Sequence, residues 1–281
     1  MKISISLAGQ QYSIDTQSGW SLAIPLGFNQ PQPNHFSASP ATAQAMRGGS
    51  FVGDTELGGS CNVNEITINP HCNGTHTETL AHICHRSHPL SVTTSDVLPP
   101  PFIPCTLVSL TPALGQNTRE LYLPPLNAAD QVMTRKALER ELDGIDSDWL
   151  EGLVIRTLPN KPDKQTRRYE ENSQPAFLTT DAIMYLRERG VQHLVLDVPS
   201  LDRMHDDGLL TNHHRFWQVP DGSHEANQYS LLNHTITEMA FITDDLPDGQ
   251  YFLSLNFPAW ITDAAPCNPI LYSASTRNES E

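Results

Sequence analysis

Residues 70–82, Pro70-His71-Cys72-Asn73-Gly74-Thr75-His76-Thr77-Glu78-Thr79-Leu80-Ala81-His82, gather three histidines, a thiol and a carboxylate. Imidazole, thiolate and carboxylate together suit zinc, and imidazole with carboxylate also suits manganese or iron. Side chains alternate along a strand, so Cys72, His76, Glu78 and His82 share parity and converge on one face of an extended segment. His71 falls on the opposite face unless a bulge at Asn73-Gly74 resets the register. A lone His-x-x-x-x-His pair is ordinarily a surface or core feature. Five donors between His71 and His82 point instead to a metal site.

Several elements must hold this run. Residues 2–7 and 11–15 alternate apolar and polar side chains across a Gly-Gln break and read as a β-hairpin. The 25–40 stretch, rich in Pro, Asn and Ser, reads as a surface excursion that carries Phe28 and Phe36 and covers a site. Residues 65–69 alternate again and lead into the histidine run as a strand. From Ser95 to Pro104, four prolines demand an extended chain unfit for a central strand. Cys105 to Leu110 is a short apolar strand, and the spacing of Val132, Met133, Leu138 and Leu142 predicts a helix over 127–143. Residues 150–157 and 191–198 read as buried strands. Between them come a polar loop over 159–175 and a helix capped by Thr179-Thr180-Asp181 and stopped by Gly190, a β-α-β order. Downstream, residues 233–243 and 251–255 read as a hairpin across Pro247-Asp248-Gly249. No linker divides the chain, so one α/β domain over 1–281 is expected.

Composition narrows the function. The 281 residues are 17% charged and 38% hydrophobic, enough to bury a full core. A formal net charge of −15 argues against nucleic acid or an anionic membrane surface as partner, because both reward clustered Lys and Arg. The N-terminus lacks the apolar core of a signal peptide, and no window approaches a spanning helix. Five widely spaced cysteines without a C-x-x-C pair fit a reduced, cytoplasmic protein, with Cys61 and Cys267 as core thiols. Cys84, His85 and His88 read as loop or packing residues.

Residues 74–82 resemble the His-x-Gly-Thr-His-x-Asp-x-x-x-His signature of the cyclase-like metal-dependent hydrolases, the family of bacterial kynurenine formamidase. Further segments follow in the family's order. Asp197-Val198-Pro199-Ser200-Leu201-Asp202 is similar to its Asp-x-x-Ser-x-Asp segment, and His213-His214-Arg215-Phe216-Trp217 to its downstream histidine element. Ile236-Thr237-Glu238-Met239 stands at the metal glutamate, and 249–266 at the terminal hairpin with Asp263-Ala264-Ala265-Pro266. The resemblance spans about residues 60–272.

The resemblance implies a mixed β-sheet or barrel-like core with flanking helices, of the swivelling β/β/α type. It implies His76 and Glu78 as metal ligands, His213 and Glu238 as ligands of a second position, and His82 as the acid/base. Three departures stand out. The first ligand position holds Cys72, with His71 one residue earlier, and either could serve. Aspartate has become Glu78, one methylene longer. An insertion near 220–225 leaves His214, His224 and His234 as substitutes for His213. The implied cofactor is one or two divalent ions, zinc before manganese. The implied reaction is hydrolysis of a small amide, formamide or lactone-type substrate of the arylformamidase kind, by a homodimer or larger homo-oligomer. A non-catalytic member that binds a metal or small molecule is the alternative, and a nucleophilic Cys72–His76 hydrolase a third option.

Overall fold

Two runs of branched apolar residues, Leu153-Val154-Ile155 and Leu194-Val195-Leu196, are wholly buried and set the centre of the sheet. The computed structural model describes residues 1–170 and 173–276. The remaining parts of the expected 159–175 loop and 1–281 domain lie outside the described residues. Nine strands form one mixed sheet. In chain order they are β1 (Gly19–Ser21), β2 (His76–Glu78), β3 (Ile103–Leu110), β4 (Gly152–Thr157), β5 (His193–Leu196), β6 (Thr235–Glu238), β7 (Gly249–Ser254), β8 (Ala264–Pro266) and β9 (Ile270–Ser273). Across the sheet the order is β8-β2-β6-β5-β4-β3-β7-β9-β1. Strands β3, β4, β5 and β6 run parallel to their neighbours in that block, and the outer pairings are antiparallel. The sheet curls into a half-barrel, as the mixed-sheet expectation requires.

Period-two alternation sends side chains to opposite faces of the sheet. Leu153, Ile155, Leu194, Leu196 and Ile236 pack on one face beneath three short helices, α2 (Arg135–Glu141), α3 (Thr180–Glu188) and α4 (Thr211–Trp217). Val154, Val195, Leu107 and Leu253 form the core on the other face. Each such side chain, fully buried, contributes roughly 1.5–3 kcal/mol relative to exposure. Helix α3 bridges β4 and β5 as the β-α-β order predicts. Thr179 caps it by accepting from the Ala182 N–H at 3.1 Å, and Gly190 stops it at φ +83°. The N-terminal hairpin, Lys2–Leu7 with Gln10–Asp15, packs on Trp149 and Phe252.

Four expectations are corrected. The 127–143 helix is confined to Arg135–Glu141. Residues Gln131–Met133 are a strand paired with Ala113–Leu114 and Phe177–Leu178, and Thr134 begins the helix by accepting from the Ala137 N–H. Pro104 does lie in a central strand, paired with Phe252 of β7 on one side, while the β4 ladder on the other side begins only at Cys105. The 233–243 and 251–255 segments form no hairpin. Met239, at φ 51°, turns the chain out of β6, and β7 joins β3 and β9 instead. Finally, Asn64–Thr67 pairs with Thr42–Ala45, apart from the main sheet, and the histidine run is not one strand.

Candidate metal centre

Pro70 starts a helical turn, α1 (Pro70–Asn73), since its fixed φ and missing N–H suit a first helical position. Asn73 clamps the turn, accepting from the Asn69 N–H at 2.8 Å and donating to the Ser39 carbonyl at 3.1 Å. The strand proper is only His76–Glu78, and a 3-10 turn over Leu80–His82 follows. The shared parity of Cys72, His76, Glu78 and His82 therefore holds for His76 and Glu78 alone. His71 and His82 reach the same place from turns on either side.

Distant segments complete the cluster. Glu238, at the end of β6, lies directly across from His76 in the ladder. Its Oε2 is 3.5 Å from His76 Nε2, and its Oε1 accepts from the Leu201 N–H at 3.0 Å. His213 comes from the first turn of α4. Asp202 accepts there from the backbone N–H groups of Asn212 and His213 at 2.9 and 3.1 Å, a capping arrangement supplied from outside the helix. The same carboxylate takes His213 Nδ1–H at 2.7 Å, which turns Nε2 toward Glu78 Oε1 at 2.9 Å. Asp202 in turn accepts from the Tyr122 hydroxyl at 2.8 Å.

Ligand-type atoms converge in three overlapping groups, each with its atoms within 4.8 Å of one another: His71, His76 and Glu78; His71, His82 and Asp263; and Glu78, His82 and His213. Of the expected ligands, His71, His76, Glu78 and His213 enter these groups, and so does the expected acid/base His82. Glu238 stands at their edge. Cys72 enters none among the described residues, because the helical turn sends residues 71 and 72 in different directions. Its thiol is buried, and burial together with the Glu238 charge pushes its pKa up, so it is poorly suited to be a nucleophile. His214 is buried outside the groups, His224 bonds the Ile83 carbonyl at 2.8 Å, and the His234 ring packs on Phe216. None of the three substitutes for His213. Cys61 is exposed rather than a core thiol, and all five cysteines are free.

Asp263 joins the cluster as a residue outside the expected ligand set. Its Oδ2 lies 2.8 Å from His71 Nε2 and 3.2 Å from His82 Nδ1, linking the two turns. The visible signal was its place in the Asp263-Ala264-Ala265-Pro266 segment, but no spacing rule connects that segment to His71. Asp197, also in a family-like segment, is elsewhere. It is buried against Lys164, whose ammonium donates to it at 2.6 Å.

The electrostatics are those of a site built for a cation. Burial works against charge on His71, yet its hydrogen bond to Asp263 and the Glu78 carboxylate beside it raise its pKa to about 10. His213 is likewise raised, against its burial, by Glu78 and Asp202. Burial pushes the Glu78 carboxyl up, but the histidines around it, chiefly His82 and His213, hold it well below the carboxylate range. Hydrogen bonds from His71 and His82 do the same for Asp263, and burial with the Glu78 charge raises Glu238. A field that fastens protons to two buried histidines also attracts a divalent ion, which displaces those protons.

Donor chemistry fits such an ion. His76 donates Nδ1–H to the Gly74 carbonyl at 3.0 Å, leaving Nε2 a bare lone pair, buried and without a partner. Glu78 Oε2 is also buried and unpartnered. His71 Nδ1 lies 3.2 Å from it, without the alignment of a hydrogen bond. Unpaired buried acceptors are costly, and a cation seated between His76 Nε2 and Glu78 Oε2 would satisfy both.

Comparison with known proteins agrees with this architecture. A family model described as "Putative cyclase" matches residues 12–203. A predicted metal-dependent hydrolase from Bacillus stearothermophilus superposes with a TM-score of 0.58 at 16% identity, covering 91% of this chain and 98% of that one. Isatin hydrolase A from Ralstonia solanacearum gives 0.60 at 15% identity, covering 91% of each chain. An isatin hydrolase bound to the product analogue thioisatinate gives 0.60 at 15%, covering 92% and 93%. No curated protein matches, and among the described residues no helix is long and apolar enough to cross a membrane. With the family match extending over most of its length, from the N-terminal hairpin through the histidine run to Asp202, this chain belongs to the cyclase family.

Proposed function

We propose that the protein is a metal-dependent hydrolase of small amide, formamide or lactone-type substrates, with arylformamidase-like compounds and isatin, a cyclic amide, as the first to test. One observation carries this reading. His76 Nε2 and Glu78 Oε2 are buried, unpartnered acceptors within a cluster of histidines and carboxylates. His71, His76, Glu78 and His213 would hold the ion, with Glu238 beside them. Imidazole and carboxylate without the thiol suit zinc first and manganese second. Such an ion supplies a polarised carbonyl and a water acidified toward a pKa of about 7.

The remaining chemistry belongs to the chain. His82 Nδ1–H is held by Asp263 Oδ2 at 3.2 Å, which leaves Nε2 free to accept and return a proton, 3.8 Å from Glu78 Oε2. Its side chain is partly open to solvent, so substrate can reach it. His82 would take the proton of the attacking water and deliver it to the leaving nitrogen or oxygen, a shuttle suited to imidazole. Asp202 keeps His213 in the tautomer that presents Nε2, as carboxylates behind metal-binding histidines do.

The test is metal analysis of the purified protein, followed by hydrolysis of N-formylkynurenine and isatin by wild type and His82→Ala. The expected result is stoichiometric divalent metal and a loss of about 10²–10⁴-fold in kcat for His82→Ala with metal retained. A protein that neither carries nor binds a divalent ion overturns the reading. So does unchanged activity in His82→Ala.

A further inference from the structure

The metal centre occupies only part of the sheet edge at which it lies. Glu238 ends β6, and two strands away Thr157 ends β4; the parallel strands β3, β4, β5 and β6 all finish at this edge. Crevices beyond the carboxyl ends of parallel strands are where α/β sheets commonly hold ligands. A cavity of about 650 Å³ opens there, running from Pro112, beyond β3, past Thr157 to Val198, beyond β5. The metal cluster is not part of its wall. Tyr169, only 4% exposed, stands between the two places. Its ring lies edge-on to His35 at 6.4 Å, and the His35 backbone N–H donates to the Cys72 carbonyl at 3.1 Å.

The charges around this cavity are the reverse of the molecule's. In the whole chain Asp and Glu outnumber Lys and Arg by 32 to 17. Lys161, Lys164 and Arg167 line the cavity, against Asp130 alone among the described residues. Asp130 is already engaged, by the Arg203 guanidinium at 3.1 Å and the Asn127 N–H at 2.7 Å. Lys164 directs its ammonium at Asp197 and Thr157. Lys161 is exposed and has no ion pair or side-chain hydrogen bond among the described residues. Asp163, itself exposed, holds the Nε and Nη2 edge of Arg167 at 3.2 and 2.8 Å, and the guanidinium lies over the Tyr169 ring, 5.8 Å from its centre. Leu158, Pro159 and Phe177 add apolar surface to the same wall.

We propose that this cavity is a second binding site, separate from the metal centre, for a small organic anion. Lys161 and Arg167 would hold its carboxylate or phosphate oxygens, as ammonium and guanidinium groups do, and the apolar wall would take its body. A volume of this size suits a small-molecule ligand. The inference goes beyond the hydrolase reading and stands or falls without it.

The experiment is calorimetric titration of the protein as purified with phenyl phosphate and with phenylacetate, using benzyl alcohol as the uncharged control. Wild type is expected to bind at least one of the anions at one site per chain and more tightly than benzyl alcohol. Lys161→Gln and Arg167→Gln should each weaken that binding roughly tenfold, with bound metal unchanged, because each removes a charged donor. Lys161→Glu should abolish it, and Arg167→Lys should recover part of the loss. Lys161 is exposed, so its variants keep the test open if Arg167→Gln does not fold. Binding that both Lys161 variants leave unchanged, or that benzyl alcohol matches, overturns the site. So does binding that disappears when the metal is chelated, which would place the anion at the metal centre, and so does failure of both anions to bind.

Discussion

At the scale of single residues, the site turns on which of two neighbours faces the cluster. A helical turn places His71 against Glu78 and Asp263 and leaves Cys72 in the packing beside Glu238. Substitution of Cys72 by Ser should therefore leave bound metal unchanged on elemental analysis, whereas His76→Ala should abolish most of it. Metal lost in Cys72→Ser would return the thiol to the ligand set. The extra methylene of Glu78 has a physical counterpart in its contacts: one oxygen meets His213 at 2.9 Å while the other stays free toward His71 and His82. The histidine pattern and Glu238 were legible in the sequence. Asp263 and His35 were not: Asp263 stands in a family-like segment and His35 in a polar loop, and no local spacing ties either to the histidine run.

Secondary elements set the stability limits. Lys164, from the loop after β4, inserts between the ends of β4 and β5. Its ammonium donates to Asp197, the Thr157 carbonyl and the Thr157 hydroxyl at 2.6, 2.7 and 2.8 Å. Removing one partner of a buried pair strands the other charge, so Lys164→Met should cost about 3–5 kcal/mol in urea unfolding. Adding Asp197→Asn should recover part of that; a single variant as stable as wild type would contradict the pairing.

His193, at the start of β5, lies 2.9 Å from the Thr235 hydroxyl. Burial, with the His234 charge, lowers its pKa to about 4. The unfolded chain takes up this proton near pH 6.5 and the folded one only near 4, so stability falls as pH drops through that window and is full above it. His193→Gln should lose roughly 2 kcal/mol less than wild type between pH 7 and 4.5, since one proton is worth about 1.4 kcal/mol per pH unit. Equal losses would place the proton elsewhere.

Taken as a whole molecule, the cluster ties residue 71 to residue 263 through α1, β2, β6 and α4. An ion bound there acts on the folded state alone and adds stability by mass action, about 2.7 kcal/mol at a hundred times Kd. Chelator treatment should lower Tm, and zinc or manganese should restore it. Because His71 and His213 are held protonated by the carboxylates around them, metal binding should also release protons, read as acidification of a weakly buffered solution. Metal uptake without proton release would mean a different ligand set.

The residues of chemistry and the buried strands were determined by local sequence. Period-two apolar runs identified β4 and β5, and capping and stop signals identified α3, because those effects act over a few neighbours. Tertiary structure decided the rest. That Pro70 begins a helical turn, and so turns His71 rather than Cys72 toward the cluster, depends on Asn73 being clamped by Ser39 from a distant loop. That β7 leaves β6 for β3, and that Asp263 and His35 come to the histidines, depends on pairings and packing across hundreds of residues, which no local pattern encodes.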